Sequence, residues 1–259
     1  MSHLATSTGA AKRAPAIDPV WALRIAIIAT VLIGWEAMAR SGLLFQDVVP
    51  SLIKIVAALG NLLVSAAFYS NLGVTALEVG VAMLIGGGAG LAAGIVIGGS
   101  RFLSRAYEPF LYYLGPTPKI IFFPVMIMWF GVGTGSKIAM GALSCFFPVA
   151  LSTAAGMRGI DEVLIRVGRS FRASPMQMVT KIYIPAMIAP IVNGLRLGLG
   201  VAIIGTLLAE TKLSNKGLGF LIIQRYQRFD MPEMYAMLIV VFTLAALINA
   251  AFTTRGGRA

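Results

Sequence analysis

The chain has 259 residues, of which 58% are hydrophobic and 12% are charged, about half the charged fraction of a soluble domain. This composition excludes an ordinary soluble protein, because too little polar surface is available to cover the fold. The net charge of +11 would suit a nucleic-acid binder, but the basic residues stand in short segments between long apolar stretches, without interleaved aromatic residues. We therefore expect a protein embedded in the lipid bilayer that binds no nucleic acid.

Stretches of about 20 mostly apolar residues predict an all-α integral membrane protein with six transmembrane helices. The predicted spans are 21–39, 73–99, 107–131, 138–157, 185–209 and 234–253. Residues 1–20 are expected to form a mobile cytoplasmic tail, and 21–259 a single transmembrane domain.

The first span contains Ala37-Met38-Ala39, which resembles the cleavage site of a signal peptide. The bulky Trp35 and the charged Glu36 beside this site favour a helix that is retained. We therefore expect 21–39 to be a retained membrane span rather than a removable signal peptide.

Glycines recur every fourth residue in the second span and form one smooth stripe on a helix. They are Gly86, Gly90, Gly94 and Gly98. The stripe predicts close approach of another helix, either from the same subunit or from another one. The stretch also fits a loose dinucleotide fingerprint, but that motif requires a preceding strand, so we exclude nucleotide binding.

The third span is interrupted by Gly115-Pro116-Thr117-Pro118-Lys119. A break of this kind is tolerated where it is buried in protein or lines a cavity, so Lys119 is a candidate residue of a transport pathway. The alternative is a kink near the interface with the lysine extending to the headgroups. Arg196 in the fifth span has the same two interpretations, and Glu78 and Glu210 are candidates to neutralise these cations.

Lysine and arginine counts favour an orientation with both termini in the cytoplasm. In that orientation the inner segments hold eleven of these residues and the outer segments hold seven. The polar segment 158–183, between the fourth and fifth spans, is then cytoplasmic as well.

The polar segment predicts two short helices. Asp161 and Glu162 suit a helix start, and Glu162 lies four residues before Arg166, which favours an ion pair. Ser174-Pro175-Met176-Gln177 has an N-cap serine, a proline at the first helical position and a glutamine for a capping box. The second helix is amphipathic, so it could dock in a groove of a soluble partner or lie on lipid.

No residues suggest catalysis. Carboxylates are scattered, no histidine lies in a span, and no Walker A sequence occurs. Cys145 and His3 are the single cysteine and histidine, which excludes a metal site built from these residue types.

The segment 158–185 resembles the cytoplasmic coupling loop of binding-protein-dependent ABC importer permeases. The pattern of that family is Glu-Ala-Ala, three residues, Gly, nine residues, Ile, one residue, Leu and Pro, and Ile182, Ile184 and Pro185 fit its end. Further motifs resemble the branch that imports nitrate, sulfonates and taurine. They are Arg169-Ser170-Phe171-Arg172-Ala173-Ser174, Pro118-Lys119-Ile120-Ile121-Phe122-Phe123-Pro124, Trp129-Phe130-Gly131-Val132-Gly133, Phe147-Pro148 and Leu218-Gly219.

The chain departs from the family pattern in its first half. Arg166 stands at the glutamate position, Val167 and Gly168 stand at the alanines, and Arg172 stands at the glycine. If a tight turn at Arg172 requires a left-handed backbone, the arginine costs about 1 kcal/mol or more. The two added cations also change the surface that is offered to an ATPase.

The resemblance implies a permease subunit of the bacterial inner membrane, with a second copy as a homodimer, an ABC ATPase subunit and an extracytoplasmic solute-binding protein as partners. It implies no cofactor in this chain, since ATP and Mg would bind the ATPase. The implied coupling residues are Asp161, Glu162, Arg166, Gly168, Arg169, Arg172, Ala173, Ser174, Ile182 and Pro185. Cations in the path would suit an anionic solute. An integral-membrane enzyme and a non-transporting scaffold are the alternatives.

Overall fold

The computed structural model describes residues 19–42 and 48–256. The predicted N-terminal tail lies almost entirely outside these residues. Within them the chain is helical and has no strand. The helices are α1 (Pro19–Arg40), α2 (Leu52–Leu63), α3 (Ala66–Ala82), α4 (Gly88–Gly98), α5 (Arg101–Leu114), α6 (Phe123–Phe130), α7 (Thr134–Arg158), α8 (Glu162–Ser170), α9 (Pro175–Met178), α10 (Ile184–Lys212), α11 (Leu218–Gln227) and α12 (Met231–Gly256).

Residues up to Lys54 form one compact unit and residues from Ile55 onward form a second. In the first unit the end of α1 is tied to the segment that follows it. The Trp35 Nε1 group donates to the Pro50 carbonyl at 3.0 Å, and the Glu36 carboxylate accepts from the Leu52 amide at 2.9 Å. The charged residue near the end of this apolar helix is therefore satisfied within its own unit.

The number of spans agrees with the prediction. Five helical segments of the described chain are long and apolar enough to cross a bilayer, and a bent pair makes up to six. The bent pair is α5 and the helical segment Lys119–Phe130, which meet at 90°. The predicted break at the prolines is thus confirmed as a sharp turn, because proline removes backbone donors that a continuous helix needs. The short helix α2 was not predicted.

The glycine stripe of α4 and the π turn before it faces α7 of the same chain. A Cβ atom at Gly94 would lie 2.5 Å from the Thr153 Cβ and 2.7 Å from the Ala150 carbonyl oxygen. A Cβ atom at Gly90 would lie 2.8 Å from a carbonyl oxygen of α7. The two backbones approach so closely that a side chain would not fit between them.

Helix α7 also packs along α10, so it lies between α4 and α10. Small residues again set the spacing, since a Cβ atom at Gly198 would lie 2.7 Å from the Val149 side chain. Cys145 is fully buried here beside Ala202 and Leu199. Its role is packing within the centre of the bundle.

Candidate functional site

The first helix of the segment 158–185 begins at an aspartate cap. The Asp161 carboxylate accepts a hydrogen bond from the Val163 amide at 2.7 Å, which satisfies one of the free donors of a helix start. Helix α8 follows from Glu162 and includes an acidic residue in its first turn and Arg169 in its last turn. Both charges complement the helix dipole, and the predicted helix start is confirmed.

The helix ends in a Schellman turn with an arginine at the left-handed position. The Ala173 amide donates to the Gly168 carbonyl at 3.0 Å and the Arg172 amide donates to the Arg169 carbonyl at 2.9 Å, which is the hydrogen-bond pattern of this motif. Arg172 has a φ of 49°. The conformation expected for a glycine at this place is therefore present, with an arginine that adopts it under strain.

The second helix begins with the predicted capping box. The Ser174 hydroxyl accepts from the Gln177 amide at 3.3 Å, and the Gln177 side chain accepts from the Ser174 amide at 2.8 Å. Pro175 occupies the first turn. The turn between the two helices is thus fixed on both sides by local hydrogen bonds.

The second helix is continuous with the fifth span. Helix α9 passes through a π turn at Val179–Tyr183 directly into α10, so the apolar helical segment runs over 38 residues from Pro175 to Lys212. The π turn precedes Pro185, whose missing N–H cannot pair with the carbonyl one turn earlier. The sequence predicted a separate short helix, whereas the structure has one continuous helical segment. We call this segment, Pro175–Lys212, the rod.

The two helices touch each other at a glycine. Gly168 is buried, and a Cβ atom there would lie 2.5 Å from the Ile182 Cδ1 and 2.6 Å from the Met178 Sδ. Through this contact α8 packs against the N-terminal end of the rod. We call α8, the Schellman turn and α9, residues 161–178, the coupling hairpin.

The outer face of the coupling hairpin is exposed and combines cations with large apolar side chains. Arg166, Arg169 and Arg172 are exposed, while Phe171 and Met176 have 82% and 72% of their surface accessible. Sequence reasoning did not single out Phe171. Phe171 directly precedes Arg172, which stands at the glycine position of the family pattern. This place at the turn is the sequence signal that could have identified it.

The predicted ion pair within α8 is wrong. The Glu162 carboxylate accepts from Arg101 at the start of α5, at 3.3 Å, and Arg166 donates to the Glu162 backbone carbonyl. An exposed arginine on a neighbouring helix competes successfully for the carboxylate, since an exposed pair within one helix is worth only a few tenths of a kcal/mol. Arg166 therefore has no carboxylate partner among the described residues.

Lys119 lies at the bend between α5 and α6. Its ammonium group donates to the carbonyl oxygens of Gly115 and Thr117 and lies 4.9 Å from the centre of the Phe147 ring. The bend, α7 and α10 surround a cavity of about 350 Å³, which Lys119 lines together with Ser144. The break in the third span thus lines a cavity.

Arg196 lies in a different cavity, a groove of about 940 Å³ between α10 and α12. Its Nε group donates to the Asn249 side chain at 2.6 Å. Lys119 and Arg196 are therefore not brought together. Neither is neutralised by Glu78 or Glu210, which corrects that expectation.

Those two glutamates instead form a buried polar cluster with a third charged residue. Glu78 of α3, Lys137 of α7 and Glu210 of α10 expose 1%, 2% and 0% of their surface, and the two carboxyl groups lie beside each other and near the ammonium group. Lys137 is one of the seven cations that the sequence count assigns to the outer segments, and it lies in the first turn of α7, which begins at Thr134. Its ammonium group also donates to the Val132 and Gly133 carbonyls.

The cluster holds the start of α11. The Glu210 carboxylate accepts from the Thr75 hydroxyl at 2.6 Å and from the Gly219 amide at 2.6 Å. Thr75 in turn accepts from the Leu218 amide, and Asn71 accepts from the Gly217 amide. Side chains from α3 and α10 thereby satisfy the free amides of a helix start. Among the described residues, no group of three or more His, Cys, Asp or Glu side chains could hold a metal.

The sequence matches the family described as the binding-protein-dependent transport system inner membrane component over residues 86–254. The chain belongs to this family. It is therefore a membrane-spanning permease component of an ABC importer rather than an enzyme, and the resemblance seen in the sequence is confirmed.

Similar proteins belong to the branch that the motifs indicated. The chain is 30% identical to the "Putative aliphatic sulfonates transport permease protein SsuC" of Bacillus subtilis, over 89% of this chain and 83% of that protein. It is 28% identical to the "Taurine transport system permease protein TauC" of Escherichia coli, over 88% and 84%. It is 26% identical to the "Nitrate import permease protein NrtB" of Synechococcus elongatus, over 80% and 77%.

The fold is also found in a solved structure. The permease is similar to a chain of the MetNI methionine ABC transporter in an inward-facing conformation, with a TM-score of 0.60 and 20% identity. The similarity covers 80% of this chain and 96% of that one. This likeness supports the all-helical membrane architecture.

Proposed function

We propose that this permease imports a small anionic solute by alternating access and that a separate ABC ATPase drives it through the coupling hairpin. The observation that carries the proposal is the hairpin's exposed face of arginines and apolar side chains on a locally locked backbone. A surface of this chemistry suits a groove on a soluble partner that has acidic residues at its rim.

The rod supplies the mechanical link to the membrane. Helix α9 continues into α10, which packs along α7 and reaches Glu210 at its other end. Movement of the hairpin would thus be carried along α10 to the start of α11. Binding of ATP to the partner would favour one arrangement of the spans and hydrolysis the other, as a shift between two states.

The solute class is supported by the relatives and by one cavity. The proteins named for aliphatic sulfonates, taurine and nitrate share an anionic group in their named substrates. Lys119 offers a cation at the wall of a cavity between the bend, α7 and α10. We propose that it contacts the anion during passage, with a second copy of the chain completing the path and an extracytoplasmic binding protein delivering the solute. ATP and Mg would bind the ATPase.

The proposed orientation places both termini and the coupling hairpin in the cytoplasm. The count of eleven lysines and arginines in the inner segments against seven in the outer segments supports this orientation.

Co-purification of the ATPase with the permease tests the coupling site. The double variant Arg166→Glu with Arg172→Glu should lose most of the bound ATPase and most of the transport. Arg228→Glu, an exposed arginine after α11, is the matched control and should keep both. Full ATPase binding and transport in the double variant would refute the proposed coupling surface.

Orientation is tested separately with a thiol at the hairpin. The one native cysteine, Cys145, is fully buried, so Ser174→Cys adds a single accessible thiol. In intact cells this thiol should resist a membrane-impermeant maleimide and should react after the cells are opened. Labelling in intact cells would place the hairpin outside and contradict the coupling mechanism.

A further inference from the structure

The buried cluster of Glu78, Lys137 and Glu210 has more carboxyl groups than cations. Among the described residues, Lys137 supplies the one positive charge that acts on both carboxyl groups. Two carboxylates beside one ammonium group would leave a net negative charge inside the bundle. An uncompensated buried charge is costly, and a buried carboxyl group commonly takes up a proton instead.

Both oxygen atoms of Glu210 accept hydrogen bonds. Oε1 accepts from the Thr75 hydroxyl at 2.6 Å, and Oε2 accepts from the Gly219 amide at 2.6 Å. The Thr75 oxygen itself accepts from the Leu218 amide at 2.8 Å, so the hydroxyl hydrogen is directed to Glu210. An ionised carboxyl group only accepts, and this set of donors therefore identifies Glu210 as the carboxylate.

The start of α11 packs directly on this carboxylate. A Cβ atom at Gly219 would lie 3.0 Å from Oε2 of Glu210, and one at Gly217 would overlap the carboxyl carbon. The close backbone and the two hydrogen bonds hold the carboxylate in one orientation. Glu78 is thus the group that must adapt to it.

Glu78 lacks a donor that would stabilise an ionised form. Its carboxyl group lies within hydrogen-bonding range of the Glu210 carboxyl group, and no donor of the described residues reaches its buried Oε2 atom. Two ionised carboxylates cannot hydrogen-bond to each other, because both only accept, and they repel each other. A proton on Glu78 lets the group donate to Glu210 and leaves no ionised oxygen without a partner.

The ammonium group of Lys137 does not supply the missing hydrogen bond. It donates to the carbonyl oxygens of Val132 and Gly133. The ion pairs between described residues do not join it to either glutamate. Lys137 therefore balances the single charge of Glu210 at longer range.

We propose that Glu78 binds one proton and donates a hydrogen bond to the Glu210 carboxylate. The cluster then holds one ammonium group, one carboxylate and one carboxylic acid, and it is neutral. The bound proton connects α3 with α10 and, through Glu210, with the start of α11. This site is separate from the coupling hairpin and from the Lys119 cavity.

Matched glutamine substitutions test which carboxyl group carries the proton. In Glu78→Gln the amide group still donates to Glu210, so the midpoint of unfolding in detergent should stay at the wild-type value. In Glu210→Gln a neutral amide replaces the acceptor of two buried donors, and the midpoint should fall by about 5 °C or more. Glu162→Gln changes an exposed carboxylate and should leave the midpoint unchanged.

Infrared spectroscopy of the purified full chain at neutral pH, in a detergent without ester groups, detects the proton directly. The wild type should show the C=O stretching band of a protonated carboxyl group. Glu78→Gln should lose this band, and Glu162→Gln should keep it. This measurement needs no Glu210 variant, so it decides the proposal even if Glu210→Gln does not fold.

A band that persists in Glu78→Gln, or a midpoint in Glu78→Gln as low as in Glu210→Gln, would overturn the proposal. A wild-type midpoint that is higher in sodium chloride than in choline chloride would also overturn it, because a sodium ion would then bridge the two carboxylates. These measurements require neither the ATPase nor the solute, so their outcome is independent of the proposed function.

Discussion

The charged residues at the two ends of the rod lie in opposite environments, one buried and one exposed. Near its C-terminal end, Glu210 is fully buried, and its partners Thr75, Lys137 and the Gly219 amide all come from this chain. At the other end, the coupling hairpin exposes Arg166, Arg169 and Arg172 to the surroundings. The charged groups at the buried end have their partners within one polypeptide, whereas those at the exposed end are available to a partner molecule.

The comparison predicts the largest loss of stability at the buried end. Glu210→Ala should lower the free energy of unfolding by about 3–5 kcal/mol, because it breaks a buried charge network and frees amides at the start of α11. The midpoint of unfolding in detergent measures this. Glu162→Ala removes an exposed carboxylate that pairs with Arg101 and should shift the midpoint little. Equal shifts of the unfolding midpoint in the two variants would contradict the expected difference in stability between the buried and the exposed carboxylate.

A somewhat smaller loss is expected at the glycine stripe. Gly94→Leu should destabilise the bundle by about 1–3 kcal/mol, because α7 leaves no room for a side chain. Gly88→Leu in the same helix is the control, since a Cβ atom there meets nothing within 4 Å. Membrane yield and the unfolding midpoint should fall for the first variant alone. A tolerated leucine at Gly94 would contradict the close contact of α4 with α7.

The smallest effect is expected in the coupling hairpin, and it has the opposite sign. Arg172→Gly should stabilise the Schellman turn by about 1 kcal/mol, because glycine adopts a positive φ without a clash. Slower amide exchange at Ala173 would report it. Arg169→Gly, within α8, should instead speed exchange through lost helix propensity. If Arg172→Gly also speeds exchange, the left-handed turn is not the resting conformation of the hairpin.

Much of this architecture follows from local chemistry and could be predicted. The spans come from hydropathy, the bend comes from Pro116 and Pro118, and the hairpin comes from caps at Asp161 and Ser174. These signals depend on residues close in sequence, so the sequence alone carries them. The left-handed turn at Arg172 was also accessible, since a family pattern places glycine there.

What was missed depends on contacts between distant parts of the chain. Glu78 and Glu210 are 132 residues apart in the numbering, and nothing local shows that they meet near Lys137. The expected pair of Glu162 with Arg166 failed because Arg101, on another helix, competes for the carboxylate. The groove between α10 and α12 is equally hidden, since an empty space between helices leaves no periodic signal in either of them.

The continuity of the rod from Pro175 to Lys212 limits how this permease can be altered by evolution or in the laboratory. A residue inserted between Ile182 and Pro185 would turn everything before it by about 100° relative to the bundle and aim the arginines elsewhere. Substitutions in the hairpin leave its orientation relative to the bundle unchanged, whereas an insertion within Pro175–Lys212 does not. A chimera that replaces the coupling hairpin with that of another importer should therefore keep the number of residues in this helix unchanged.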